Sequence, residues 1–211
     1  KAAFAHTASE NKGHSNAEYD QLFEESGVLR EKTWQEFLDT SLALGSCPPL
    51  RGDNVVIITN GGGAGLLAAD HFERLGMPLK ELKDISPDLR ENIRNYMPAF
   101  GSPLNPVDIS GTATSDMYGG ALKTAYRDEH VDGIMISVCP TAVTDVEAIT
   151  ETVINIHRQY KNLGKPFIME CQGGNECREA IMKLRDKGIP AYSTPEQAVN
   201  AMVALRDRKS V

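Results

Sequence analysis

Several absences narrow the problem. The chain has a single tryptophan in 211 residues and no interleaving of aromatic and basic side chains, so it offers no stacking platform for single-stranded nucleic acid. It has no run of basic residues, and its net charge of -7 opposes nonspecific binding to nucleic acid or to an anionic membrane. No segment approaches the ~20 apolar residues of a membrane span, and no signal peptide is visible. The four cysteines, Cys47, Cys139, Cys171 and Cys177, contain no C-x-x-C pair. That argues against a zinc site and favours buried free thiols in a cytoplasmic protein. No initiator methionine is present, and a start at Lys1 suggests a fragment or a processed piece. Internal repeats and low-complexity segments are also missing.

What is present is an alternation of strand and helix patterns. Residues 1–15 have no sustained apolar period and read as a loop. "NAEYDQLFEESG" places Tyr19, Leu22 and Phe23 on one helical face before Gly27. "TWQEFLDTSLALG" carries a capping box, Thr33 with Glu36, and a stripe of Trp34, Phe37, Leu38 and Leu42. "NVVIITN" is a continuous β-branched run, the mark of a buried parallel strand. "PLKEL" reads as a second strand and "ISPDLRENIRNYM" as a helix opened by Ser86 and Pro87. Further on, "SDMYGGALKTAYRD" reads as a helix capped by Ser115, "GIMISVC" as a strand and "TDVEAITETVINIHRQYKNLG" as a long helix capped by Asp145. The strand "PFIMECQ", the helix "NECREAIMKLRDKG", the strand "PAYS" and a last helix capped by Thr194 complete the pattern. Five strands joined by helices imply right-handed parallel crossovers. The expected fold is α/β: a flavodoxin-like, doubly wound, five-stranded parallel sheet, with ligands at the carboxyl ends of its strands. Residues 1–50 are expected to form a loop and helical connector, and residues 51–211 the flavodoxin-like domain.

Chemistry concentrates at that carboxyl edge. Asn60 ends a strand, and Gly61, Gly62, Gly63 and Gly65 follow at the start of a helix. Small residues admit a ligand to the backbone, and free helical N–H groups attract an anion. "CPTAVTD" follows another strand, with Pro140, Thr141 and Ala142 in the turn, Thr144 beyond it and Asp145 as cap. Two helix N-termini at one crevice make a phosphate or carboxylate cradle. "NPVDISG" brings Asp108 to a turn after Val107, with Asn105 held extended before Pro106. "GGNE" adds a small-residue turn. Glu170 and Glu176 could approach the crevice, with a solvated role expected for both. His71, His130 and His157 read as packed or solvated helical residues. His6 stands among small residues, and its imidazole can serve as a nucleophile toward phosphorus. A second reading uses Gly63, Gly65 and an acid about twenty residues on, Glu81 or Asp84, as a nicotinamide-dinucleotide fingerprint of an oxidoreductase domain. A third reading is a noncatalytic module that docks subunits.

The motifs in combination resemble one family. "AAFAHTAS" resembles the phosphohistidine segment of the nucleoside-diphosphate-forming acyl-CoA synthetases, relatives of succinyl-CoA synthetase. "ITNGGGAGLLAADHFERLGM", "NPVDISGTAT" and "GIPAYSTPEQAVNAMVAL" resemble that family's glycine turn, Asn-Pro-Val-Asp segment and ending, in the same order. The resemblance implies a phosphohistidine at His6, and a ligase that joins a carboxylic acid to CoA through an acyl phosphate at the expense of ATP. It implies substrate or phosphate contacts at Asn60, Gly61, Gly62 and Gly63. Pro140, Thr141 and Ala142 take the place of the family's Gly-Ile-Val contact turn, although the residues differ. CoA, ATP/ADP and Mg are implied with sites mainly outside this chain, on CoA-binding and ATP-grasp domains or subunits of an oligomeric enzyme. Ala8, Glu10 and Asn11 depart from the usual pattern of the histidine loop.

Overall fold

A computed structural model describes residues 15–207. His6 and the rest of its segment therefore lie outside the described residues. Two helices open the chain. Helix α1 (Asn16–Glu25) begins with a reciprocal capping box between Ser15 and Glu18, and α2 (Trp34–Ser46) begins with the expected one between Thr33 and Glu36. No residue of α1 is buried. Arg30 ties it down through the Asn16 carbonyl at 2.9 Å and the Asp20 carboxylate at 2.8 Å, while its guanidinium lies over the rings of Tyr19 and Phe23. The stripe expected to bury α2 is corrected: Trp34, Phe37 and Leu38 are exposed, and the helix buries Asp39, Thr40 and Ala43. Hydrogen bonds decide that orientation. Tyr192 donates to the Asp39 carbonyl at 2.7 Å and Gln197 to its carboxylate at 2.8 Å, which pins α2 beside the last helix.

The α/β body then runs β1 (Val55–Thr59), α3 (Gly62–Arg74), α4 (Leu82–Ile85), α5 (Leu89–Arg94), β2 (Val107–Asp108), α6 (Ser115–Arg127) and β3 (Gly133–Val138). It continues with α7 (Val146–Tyr160), β4 (Phe167–Cys171), α8 (Asn175–Asp186), β5 (Ala191–Tyr192) and α9 (Pro195–Asp207). All four strand pairings are parallel, and the order is β2-β1-β3-β4-β5. This is the flavodoxin-like order expected. Strands β1, β3 and β4 are buried on both faces, so they read as unbroken apolar runs. One face, with Val56, Ile58, Ile136 and Met169, packs against α5, α6, α7 and α8. The other, with Val55, Ile57, Met135 and Ile168, packs against α2, α3 and α9.

Three further expectations need correction. "PLKEL" is not a strand; the edge position beside β1 belongs to Val107–Asp108. The Asn105 side chain accepts from Ile57 N–H at 3.1 Å and donates to the Val55 carbonyl at 2.8 Å. It thereby uses the edge groups of β1 that a strand at 78–82 would have needed. Second, the cap of α6 is Thr114, whose hydroxyl accepts from the Met117 amide, and Ser115 is the first helical residue. Third, Cys171 and Cys177 are not free thiols but a disulfide, joining the end of β4 to the first turn of α8 with Cα atoms 5.4 Å apart. The Asn105–Pro106 peptide bond is cis. Among the described residues, no helix is long and apolar enough to cross a membrane.

Candidate functional site

The carboxyl ends of β1, β2, β3 and β4 release their turns side by side. Asn60, buried immediately after β1, reaches across to the turn after β3. Its amide oxygen accepts from the Cys139 N–H at 2.8 Å, and its amide nitrogen donates to the Cys139 carbonyl at 2.9 Å and the Thr144 hydroxyl at 3.4 Å. Thr141, in the same turn, donates its hydroxyl to the Gly111 carbonyl at 3.0 Å, which brings in the segment after β2. Gln172, following β4, donates to the Cys139 sulfur at 3.2 Å. The Asn60, Pro140–Ala142 and glycine turns therefore lie side by side at the carboxyl edge of the sheet.

The glycines have separate reasons to be glycine. A Cβ on Gly61 would stand 2.6 Å from the Cys139 sulfur, and one on Gly62 would stand 2.8 Å from the Asp108 carboxylate. Gly63 faces open space, with nothing within 4 Å of such a Cβ. The first α3 turn closes with the Gly65 amide on the Gly61 carbonyl at 3.2 Å. The amides of Gly62, Gly63 and Ala64 precede that bond, and Gly61 supplies no side-chain cap. Helix α7, which follows β3, differs: Asp145 accepts from the Ala148 amide at 2.9 Å and sets a carboxylate at its start. Of the two helix N-termini expected to cradle an anion, α7 is capped by its own Asp145, while α3 has no side-chain cap and has the Asp108 carboxylate beside Gly62.

Asp108 borders the α3 start and also accepts from the Ser110 amide at 2.8 Å. Ser110 adopts a φ of 80°, the left-handed region that costs a non-glycine residue energy. Cys139 is half-buried, and that burial raises its thiol pKa, with Gln172 partly opposing. It therefore stays a neutral thiol near pH 7 rather than a thiolate nucleophile. Pro140, Thr141, Ala142 and Gly63 are exposed at the rim. Glu176 is exposed as expected, but Glu170 is not solvated: it is 0% exposed. Sequence reasoning also passed over Cys139 and Gln172. Their signal was positional, since each directly follows a buried parallel strand.

The dinucleotide reading loses its acid. Glu81 pairs with Lys83 at 3.0 Å, and neighbouring Lys80 reaches Asn54 at 2.8 Å, just before β1 begins. Lys80 and Glu81 thus lie at the amino edge of the sheet, opposite the glycine turn. Among the described residues, no three His, Cys, Asp or Glu side chains are placed to hold a metal ion.

A parallel five-stranded sheet in the order β2-β1-β3-β4-β5, with helices on both faces and a glycine-built helix start at its carboxyl edge, defines an α/β domain of the flavodoxin-like class. The Ligase-CoA domain family matches residues 55–209, and the chain belongs to that family. It is 42% identical, over 97% of its length, to the alpha subunit of an ADP-forming acetate–CoA ligase I from Pyrococcus furiosus, and covers 43% of that protein. It is 29% identical, over 97% of its length, to an ADP-forming 4-hydroxybutyrate–CoA ligase from Nitrosopumilus maritimus, covering 28% of it. A solved acetyl-coenzyme A synthetase 1 of Ca. Korarchaeum cryptofilum, in complex with phosphate and ADP, superposes with a TM-score of 0.89 at 34% identity. That superposition covers 97% of this chain and 43% of the other. The chain thus spans less than half the length of these relatives.

Proposed function

We propose that the chain is the phosphoryl-handling part of an ADP-forming acyl-CoA synthetase, with His6 as the phosphohistidine. The observation that carries this reading is the open α3 start. Its Gly62, Gly63 and Ala64 amides face a crevice braced by Asn60 and Thr141, in a chain of the Ligase-CoA family. A phosphoryl group needs alignment and charge stabilisation more than covalent help, and aligned backbone N–H groups provide both.

The chemistry runs in three steps. An oxygen of the substrate carboxylate attacks phosphorus as the bond from phosphorus to the His6 nitrogen breaks, giving an acyl phosphate and free imidazole. The CoA sulfur then attacks the acyl carbon, and phosphate leaves from it. ATP rephosphorylates His6 and departs as ADP. In this scheme the α3 amides hold the phosphoryl oxygens. The Asn60 side chain is spent on Cys139, so its role is to hold the two turns at a fixed separation rather than to grasp the ligand. Pro140, Thr141 and Ala142 form the opposite rim, where the carboxylic acid lies. In this reading CoA, ATP and Mg are held mainly by domains or subunits beyond this chain.

The test uses the complete enzyme with ATP, CoA and a panel of short and hydroxylated acids. The expected result is ADP and acyl-CoA formation, with acid-labile phosphate on His6 that disappears in His6→Ala. Acyl-CoA formation by His6→Ala at the wild-type rate would contradict the reading.

A further inference from the structure

Glu170 is a carboxyl group where the fold provides no charge to receive it. Strand register sets Asp108, Thr59, Ser137, Glu170 and Tyr192 in one row across the sheet. Alternation turns Thr59, Ser137 and Glu170 toward the face covered by α2, α3 and α9. Ser137 and Glu170 are both 0% exposed and directly opposite each other on β3 and β4. Neither the Ser137 hydroxyl nor either Glu170 carboxyl oxygen has a hydrogen-bond partner. One residue further along the same face come Cys139 and Gln172, the residues that carry the crevice turns.

A buried carboxylate without a counterion is expensive, and such a group keeps its proton instead. The surroundings agree. Burial pushes the Glu170 carboxyl up to about 7, the nearby Ser137 hydroxyl opposes this in part, and Glu196 on α9 adds to it. The other titratable neighbours are also anionic or neutral: Cys139 on the β3 turn, Tyr118 on α6 and Asp108 on β2. Tyr192 on β5 gives its hydroxyl to Asp39 on α2. No cation contributes to the balance at Glu170. A proton on Glu170 removes the uncompensated charge from this sealed position opposite Ser137.

We propose that Glu170 is a positioning residue, sealed and held protonated between the ends of β3 and β4 beneath the Cys139–Ala142 and Gln172–Gly174 turns, so that its ionisation loosens the crevice. The inference rests on the crevice being the acyl and phosphoryl site proposed above. It adds a proton-dependent element to that site, provided by a residue that never touches substrate.

The experiment compares wild-type complete enzyme with Glu170→Gln, which keeps a neutral donor of the same shape. Amide hydrogen exchange of peptides spanning 137–144 and 170–176 is corrected for the intrinsic effect of pH and followed from pH 6 to pH 8.5. Wild-type protection there should fall by about tenfold relative to Glu170→Gln, the size of one unit of pKa displacement. The acyl-CoA-forming kcat should decline with it, with the KM for ATP unchanged, and Glu170→Gln should remove that decline. Ser137→Ala, which takes away the hydroxyl that holds the Glu170 carboxyl down in part, should move the wild-type loosening to higher pH and serves if Glu170→Gln does not fold. Parallel exchange profiles in wild type and Glu170→Gln, or an unaltered wild-type profile in Ser137→Ala, would overturn the inference. Divergent exchange with parallel kcat profiles would also overturn it, by leaving a buried proton that positions nothing. Wild-type enzyme that makes no acyl-CoA from any acid would instead refute the function proposed above, while the exchange arm still reports on Glu170.

Discussion

Helices α3 and α7 invite comparison because they begin the same way and end up chemically opposite. Each follows a fully buried parallel strand, β1 or β3, at the same edge of the sheet. Helix α7 starts with Asp145, whose carboxylate bonds the Ala148 amide. Helix α3 starts with Gly61, which offers no side chain to its first amides. A capping carboxylate is worth ~1 kcal/mol and occupies the positive end of the helix. Where a helix forgoes that contact at a crevice, its amides remain for an external anion. On the function proposed above, the uncapped α3 start, rather than the capped α7 start, takes the anion.

The brace joining the two starts is where the comparison breaks most easily. Asn60→Ala removes two bonds to Cys139 and leaves both of that residue's backbone groups unpaired, so urea denaturation should show a loss of about 3 kcal/mol. An effect of similar size comes from the floor beneath both turns. The folded-state pKa of Glu170, about 7, lies above its ordinary value of 4.5. The folded chain therefore holds this proton where the unfolded chain has lost it. The contribution is fully present below about pH 4.5, is lost as pH rises to about 7 and is flat beyond, for a total of roughly 3 kcal/mol. The difference between wild-type and Glu170→Gln stability curves should show that slope. Asp145→Ala should cost ~1 kcal/mol of stability, and should open a second uncapped start at α7. The smallest expected effect is the sharpest for the comparison. Gly63 is helical and faces open space, so Gly63→Ala should stabilise the chain by ~0.5 kcal/mol. If that space is the ligand's, the same substitution should weaken phosphate affinity while thermal stability rises.

Much of the fold is legible because β1, β3 and β4 are long apolar runs and α6 and α7 carry a hydroxyl and a carboxylate cap. The capping boxes of α1 and α2 and the Asp145 cap are local chemistry, readable three residues at a time. What escapes is chemistry between distant segments. The edge strand is only Val107–Asp108, too short for a period, and it is extended by the Asn105 side chain standing in for backbone. "PLKEL" shows more strand character than "PVD", yet Asn105 claims the edge of β1. The Trp34–Phe37–Leu38 stripe of α2 misleads because polar bonds from Tyr192 and Gln197, about 150 residues away, set the helix's rotation.

The site divides in the same way. The glycine turn and the Pro140–Ala142 turn are marked by composition after apolar runs, and the sheet order brings them together. That Asn60 spends its amide on Cys139 is not visible in the chain, because it depends on which groups after β3 face it. Glu170 reads as a solvated acid beside a glycine turn, and only the register with Ser137 under α9 shows it to be sealed. Cys171 and Cys177 pair because α8 turns back over the end of β4, a geometry with no C-x-x-C signature.

The central claim is that the open α3 start, and not the capped α7 start, receives the anion. Backbone amide NMR of this chain during titration with sulfate, whose charge is constant over neutral pH, tests it directly. The account predicts saturable shifts concentrated at Gly62, Gly63 and Ala64, with Ala148 unmoved. Shifts centred on Ala148 and the α7 start, or no saturable shift at Gly62–Ala64, would contradict it.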